Sequence, residues 1–241
     1  MSNITMQTTL PAKLAPKLFV TGTDTEIGKT LVSAALLHAI GQQGWSCVGM
    51  KPVAAGAFLQ DGVWANEDVI ALKAASNITL TAELERLINP YLFHLAAAPH
   101  IAAELEQRQI DISTITDCYE QLSQHAQAIV VEGVGGFMVP LNSQQNSADM
   151  ANTLNLSVVL VVGMKLGCIS QALLAAEAIR ARGLTLAGWV ANCPQGTMAY
   201  LQENIIALQA RLHAPMLGCI PYLETASAAA AAAYLDLSKL Q

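Results

Sequence analysis

The chain has 241 residues, 53% hydrophobic and only 12% charged, with a net charge of −6. That length allows one sizeable core, whereas the acidic balance and the lack of a Lys/Arg cluster exclude nucleic acid as the main partner, because counterion release needs several phosphate contacts. The longest strongly apolar run, residues 156–164, falls well short of a membrane span, and the first residues do not lead from a charged start into an apolar stretch, so neither a signal peptide nor an anchor is expected. The cysteines Cys47, Cys118, Cys168, Cys193 and Cys219 are scattered without a Cys-x-x-Cys pair, which predicts a reduced, cytoplasmic protein. The histidines show no metal-ligand spacing.

Residues 1–16 read as a flexible N-terminal extension and residues 17–241 as a single domain. A short apolar strand at 18–20 leads into Gly22-Thr23-Asp24-Thr25-Glu26-Ile27-Gly28-Lys29-Thr30, and residues 28–43 then carry Leu31, Ala34, Ala35, Leu37 and His38 at helical spacing. In a strand-loop-helix of this kind the backbone N–H groups cradle phosphates, Lys29 supplies a point charge and the Thr30 hydroxyl a Mg²⁺ ligand. A bound nucleoside triphosphate is therefore expected. The loop departs from the usual pattern, with five residues between Gly22 and Gly28 and Thr23 where a glycine would stand. Further buried strands are predicted at 47–51, 128–131, 157–162, 186–190 and 215–220, and helices at 112–127, 170–182 and 198–213. Strand alternating with helix predicts an α/β fold: a doubly wound, mostly parallel sheet flanked by helices, P-loop NTPase-like. The alanine-rich stretch 226–233 favours helix on propensity alone.

In such a sheet, ligands sit beyond the carboxyl ends of the strands. Lys51 closes the second strand just before Pro52 and would bring a second cation to the γ-phosphate; with Lys29 it implies stabilisation of a transferring phosphoryl group. Glu132 ends an apolar strand, where a lone acid is costly unless paired or metal-bound, and Gly133, Gly135 and Gly136 after it allow close backbone approach. Glu132 is thus the expected second metal ligand. Asp68 reads equally as a helix-capping acid and as a metal ligand. Glu26, an acid inside a phosphate cradle, meets a cationic substrate or faces solvent.

Taken together, these residues resemble the dethiobiotin synthetases. The resemblance runs from about residue 18 to 223. It rests on the phosphate loop, whose five-residue spacing is that family's own, on Lys51-Pro52-Val53, Asn89-Pro90-Tyr91 and Pro99-His100-Ile101, and on Val131-Glu132-Gly133-Val134-Gly135-Gly136. Lys165-Leu166-Gly167-Cys168-Ile169 and Gly188-Trp189-Val190-Ala191-Asn192 extend it. The resemblance implies a homodimer that uses ATP, Mg²⁺ and CO₂ to convert the small-molecule diamine 7,8-diaminononanoate into dethiobiotin, ADP and phosphate. One amine becomes a carbamate, ATP phosphorylates it, and the second amine closes the ring on the mixed anhydride. Carried over by position, Lys29 and Lys51 stabilise the transferring phosphoryl group, and Thr25 and Glu26 lie near the diamine. Residues Glu26, Ile27, Gly28, Lys29, Thr30 and Leu31 cradle the phosphates, and Thr30, Asp68 and Glu132 hold Mg²⁺. Gly133, Val134 and Gly135 flank the nucleotide, while Asn192, Cys193, Pro221, Tyr222 and Leu223 meet adenine. The substrate contacts Lys51 and Ala55, and its carboxylate tail meets backbone N–H groups of Gly167, Cys168, Ile169 and Ser170 of the other subunit, a helix opening suited to an anion. Two positions depart from the family: Ala55 stands where a serine is common, and Ser170 where an asparagine is. Weaker substrate binding, not a different reaction, is the expected consequence.

A competing reading is a nucleotide-driven dimeric switch ATPase of the partition or cluster-assembly type. Such switches usually carry an additional lysine early in the loop, where this chain has Thr21, Gly22 and Thr23. A GTP-binding switch is disfavoured because Asn192 is followed by Cys193 and Pro194, not by a guanine-reading motif.

Overall fold

A computed structural model describes residues 15–196 and 198–240. Most of the expected N-terminal extension, residues 1–14, lies outside the described residues. The first half of the chain comprises β1 (Lys17–Gly22), α1 (Lys29–Gln42), β2 (Cys47–Met50), β3 (Val53–Ala55), β4 (Phe58–Gln60), β5 (Val63–Ala65), α2 (Glu67–Ala75), α3 (Ala82–Ile88), β6 (Tyr91–Phe93), α4 (Pro99–Leu105) and α5 (Ile112–Leu122). The second half comprises β7 (Ala128–Gly136), α6 (Ser147–Leu154), β8 (Ser157–Gly163), α7 (Cys168–Ala181), β9 (Leu186–Asn192), α8 (Leu201–Leu212), β10 (Met216–Ile220) and α9 (Ala228–Ala232).

Six strands form one parallel sheet in the order β10-β9-β8-β1-β7-β2. Each strand is apolar on both faces because each face is covered. In β8, Val158, Leu160 and Val162 join one core and Val159 and Val161 the other; in β1, Phe19 and the pair Leu18 and Val20 divide in the same way. The alanines of α9 pack on α1, completing the second face. From β1 the chain moves out to β2, returns to β7, then crosses β1 to build β8, β9 and β10 on the other side. The winding reverses at β1, so a crevice opens at the carboxyl ends of β1, β7 and β8.

All six expected strands are present. The structure adds a two-stranded β3–β6 pair, a β4–β5 hairpin and the helices α2, α3, α4 and α6. The added strands have three residues each, too few for a periodicity to register. Boundaries also differ. Strand β7 continues through Glu132 to Gly136. Helix α5 stops at Leu122, where the Ser123 hydroxyl bonds back to the Tyr119 carbonyl. Helix α7 begins at Cys168, its N-cap Gly167 lying at φ 94, a left-handed conformation that glycine adopts without strain. No helix among the described residues is long and apolar enough to cross a membrane.

The edge strand β2 is protected by the end of α2. The Cys47 N–H donates to Asn77 Oδ1 (2.6 Å), Asn77 Nδ2 donates to the Trp45 carbonyl (2.9 Å), and the Gly49 N–H donates to Ser76 Oγ (3.0 Å). Unpaired edge groups otherwise invite strand addition. Asn77→Ala leaves the Cys47 N–H without its partner, at a cost of about 1–3 kcal/mol, so the thermal midpoint is expected to fall by several degrees. An unchanged midpoint would remove the edge-capping role.

Candidate functional site

The sheet register assembles the site. Met50 pairs with Val131, so Lys51 emerges one rung later beside Glu132, and Val20 of β1 pairs with Glu132 from the other side. The Lys51 backbone is held by α3 and its end: its N–H donates to the Ile88 carbonyl (2.9 Å), and its carbonyl accepts from Asn89 Nδ2 (2.6 Å). The Lys51 ammonium is buried between two carboxylates, 2.6 Å from Glu132 Oε1 and 2.7 Å from Asp68 Oδ2, and it also donates to the Gly133 carbonyl (3.2 Å). Burial opposes its charge, but Glu132 and Asp68 outweigh that and raise its pKa above the usual lysine value. Burial likewise opposes the Asp68 charge, and Lys51 overcomes it to hold that carboxyl below its usual value.

Asp68 sits in the first turn of α2, whose N-cap is Asn66; the two sequence readings of Asp68 thus separate, since capping falls to Asn66 and the Asp68 carboxylate turns to the site. Asp68 Oδ1 and Glu132 Oε1 approach the Thr30 hydroxyl at 2.6 and 2.9 Å. A hydroxyl has one proton, so it cannot donate to both. Glu132 Oε2 is buried without a hydrogen-bond partner. One hydroxyl and two carboxylates converging on a point, one carboxylate oxygen unpaired, form a hard-oxygen set suited to Mg²⁺. Among the described residues no group of three or more His, Cys, Asp or Glu could hold a metal by itself, so phosphate and water oxygens would complete the coordination.

The loop between β1 and α1 is fixed at the ends of two strands, β8 and β9. The Thr23 N–H donates to the Val161 carbonyl (3.0 Å), and the buried Ile27 side chain occupies space that a Cβ at Gly163 would fill. Asn192, at the end of β9, donates from Nδ2 to the Ile27 carbonyl (2.7 Å). Gly28 lies at φ 82, and a Cβ there would collide with that same Asn192 amide. Its backbone is therefore both left-handed and closely approached, and it opens α1 with free N–H groups. Lys29 bends back to donate to the Asp24 carbonyl (2.9 Å), and the Asp24 carboxylate pairs with Lys165 (2.6 Å). Burial, and then the nearby Lys51, lowers the Lys29 pKa to about 8.

These groups line a cavity of about 900 Å³ shared by Thr25, Glu26, Gly28, Lys29, Thr30, Lys51, Ala55, Asp68, Glu132, Val134 and Gly135. With Ala55, the small apolar residues Ala54, Ala96, Ala97, Ala98, Pro99 and Val139 form an apolar wall of the same cavity. Other sequence candidates lie outside it. Cys193 is buried behind Asn192, while Pro221, Tyr222 and Leu223 follow β10, with Tyr222 exposed. Gly167, Ile169 and Ser170 border a separate, mostly apolar surface groove with Leu166, Leu173 and Leu174. Sequence reasoning missed Asn66, Asn89 and the Asp24–Lys165 pair. Asn66 carried a signal, as an asparagine directly ahead of two acids at a helix start; Lys165 carried none, because its partner is remote in sequence.

A family model described as AAA domain matches residues 16–230. The ATP-dependent dethiobiotin synthetase BioD of Janthinobacterium sp. (strain Marseille) is 54% identical over 226 residues, covering 92% of this chain and 94% of that protein. Among solved structures, the septum site-determining protein MinD of Pyrococcus horikoshii OT3 complexed with Mg-ADP superposes with a TM-score of 0.53 at 17% identity, covering 86% of this chain and 82% of that one. A ParA family ATPase from Chlorobium tepidum TLS gives 0.53 at 13% identity, covering 87% and 86%. These two share the fold.

Because Lys29 holds its proton less tightly when folded, the unfolded state binds more protons between about pH 8 and the ordinary value of 10.5. Its contribution to stability thus rises with pH across that window, and the cost of its buried charge is fully present below it. A polyphosphate in the loop reverses the bias by favouring the charged lysine. Pyrophosphate binding at pH 8 is therefore expected to take up a fraction of a proton, measurable by calorimetry in buffers of different ionisation enthalpy, and to lose that uptake in Lys29→Met. Buffer-independent heats for the unsubstituted protein would contradict this.

Proposed function

The chain belongs to the dethiobiotin synthetase family, and from that premise we propose that it closes the ureido ring of dethiobiotin from 7,8-diaminononanoate, CO₂ and ATP. It is an ATP-dependent cyclo-ligase with ATP and Mg²⁺ as cofactors. The convergence of Lys29, Lys51, Thr30, Asp68 and Glu132 on one cavity carries the reading. Thr30, Asp68 and Glu132 would hold Mg²⁺, which when bound neutralises charge on the phosphate oxygens.

One amine of the substrate adds to CO₂ and loses a proton, giving a carbamate. A carbamate oxygen then displaces ADP from the γ-phosphorus, and the second amine attacks the carbamoyl carbon, expelling phosphate and closing the ring. Lys29 and the N-terminal amides of α1 face the phosphates, and Lys51 adds fixed positive charge where charge develops. Glu26 and Thr25 face the same cavity, where an acid suits an ammonium-bearing substrate. The alanine wall suits an aliphatic chain. The adenine would lie toward Asn192, Cys193 and the segment of Pro221, Tyr222 and Leu223.

The carboxylate tail is assigned to the partner subunit, because Gly167, Ile169 and Ser170, with Cys168 between them, border a groove separate from the central cavity. In a homodimer the groove beside them would meet the partner, covering Leu166, which is 95% exposed. The single P-loop domain at 17–241 and a cytoplasmic setting belong to the same proposal.

Incubation with ATP, Mg²⁺, bicarbonate and the diamine is expected to yield a product with the mass of dethiobiotin; ADP release indifferent to the diamine would sink the assignment. Lys51→Gln is expected to lower kcat by two orders of magnitude or more, about the effect of removing one preorganised charge-stabilising group, with ATP binding largely kept. Lys29→Gln is expected to harm both, and equal loss of ATP affinity in the two variants would count against separate roles.

A further inference from the structure

Asn66 lies outside the reaction described above and contacts both halves of its site. It is only 9% exposed and has extended backbone (φ −139, ψ 138) at the N-cap of α2. Its Oδ1 accepts from the N–H groups of Asp68 (3.1 Å) and Val69 (3.4 Å), while its Nδ2 donates to the Ala55 carbonyl (3.3 Å). Asp68 and Ala55 both line the central cavity, one on the phosphate side and one on the apolar wall. Between Ala55 and Asn66 the chain makes an excursion through the exposed β4–β5 hairpin. The amide of Asn66 therefore closes that excursion, and β3, which has three residues and pairs with β6, is short enough to depend on it.

We propose that Asn66 is a positioning residue with two separable duties. Its carbonyl oxygen fixes the first turn of α2, so that the Asp68 carboxylate reaches Thr30 and Lys51 together and is preset for the ion and the phosphates. Its amide fixes the Ala55 end of β3, and so the wall against which the diamine lies. The second duty rests on the reaction proposed above; the first does not.

Asn66→Ser separates the two. Serine caps a helix about as well as asparagine and adds no charge, but it is too short to reach the Ala55 carbonyl. Asn66→Ala loses both contacts. ATP affinity across a Mg²⁺ series is measured by calorimetry, steady-state constants with the diamine are measured alongside, and thermal midpoints are recorded without ligand. Asn66→Ser is expected to keep the Mg²⁺ dependence of ATP binding and to raise the diamine KM about fivefold, the effect of one lost hydrogen bond, with kcat nearly unchanged. Asn66→Ala is expected to shift the Mg²⁺ dependence as well. A purely structural cap would lower the midpoint and leave every binding constant in place, and that result overturns the proposal. So does an unchanged diamine KM in Asn66→Ser. If the unsubstituted protein forms no product from the diamine, the functional reading fails, while the Mg²⁺ series still decides whether Asn66 presets Asp68.

Discussion

A lysine ammonium buried between two carboxylates is the constraint on which the rest of the site depends. Lys51 sits 2.6 Å from Glu132 and 2.7 Å from Asp68. Taking charges out of water costs several kcal/mol each unless they neutralise one another, so the fully buried Lys51 and Glu132 depend on each other, while Asp68, half-exposed, adds a second anion at the rim. The arrangement also fixes geometry. Glu132 is held in register with Val20 of β1, Lys51 directly follows β2, and Asp68 lies in the first turn of α2. The pairing therefore ties two strands and a helix to the phosphate loop through Thr30. With Lys29 included, the inner site holds two cations and two anions, and this balance leaves it ready to accept a polyphosphate and its divalent ion together.

The loop itself is rigid for reasons of packing. Ile27 is wedged against Gly163, and Asn192 grips the Ile27 carbonyl while pressing on Gly28. An anion-binding helix terminus gains most when its N–H groups already point at the ligand, and here the ends of β8 and β9 hold them so. The added residue in the loop leaves Thr25 and Glu26 facing the cavity. One strand-to-helix connection thus presents phosphate donors on its inner side and an acid toward the substrate side. The Asp24–Lys165 pair links this connection to the segment opening α7, which is the segment proposed to serve the partner subunit.

The likeness to MinD and ParA proteins shows how general the frame is. Sheet order, loop and first helix are features of the fold, and a fold of this kind hosts different chemistries. In this chain the small residues Ala54, Ala55, Ala96, Ala97 and Ala98 line a cavity of about 900 Å³ together with the phosphate loop.

The sequence by itself determined the parallel sheet, the phosphate loop and the family, because these are written locally: apolar runs bounded by glycines, a Gly-Lys-Thr at a helix start, and matches spread along the chain. It also named Lys29 and Thr30, at a recognisable helix start, and Lys51 and Glu132, each at a recognisable strand end. The tertiary structure alone decided how those residues meet. Glu132 reads as the last residue of a strand but lies within one, because β1 pairs alongside it and carries the ladder on to Gly136 after β2 has ended opposite Val131. Asp68 reads equally as cap or ligand, and only the positions of Lys51 and Thr30, remote in sequence, turn its carboxylate inward while Asn66 caps the helix. The short strands β3 and β6 and the Asp24–Lys165 pair were invisible for the same physical reason: three residues carry no periodicity, and an ion pair between remote positions exists only once the sheet register has brought them together.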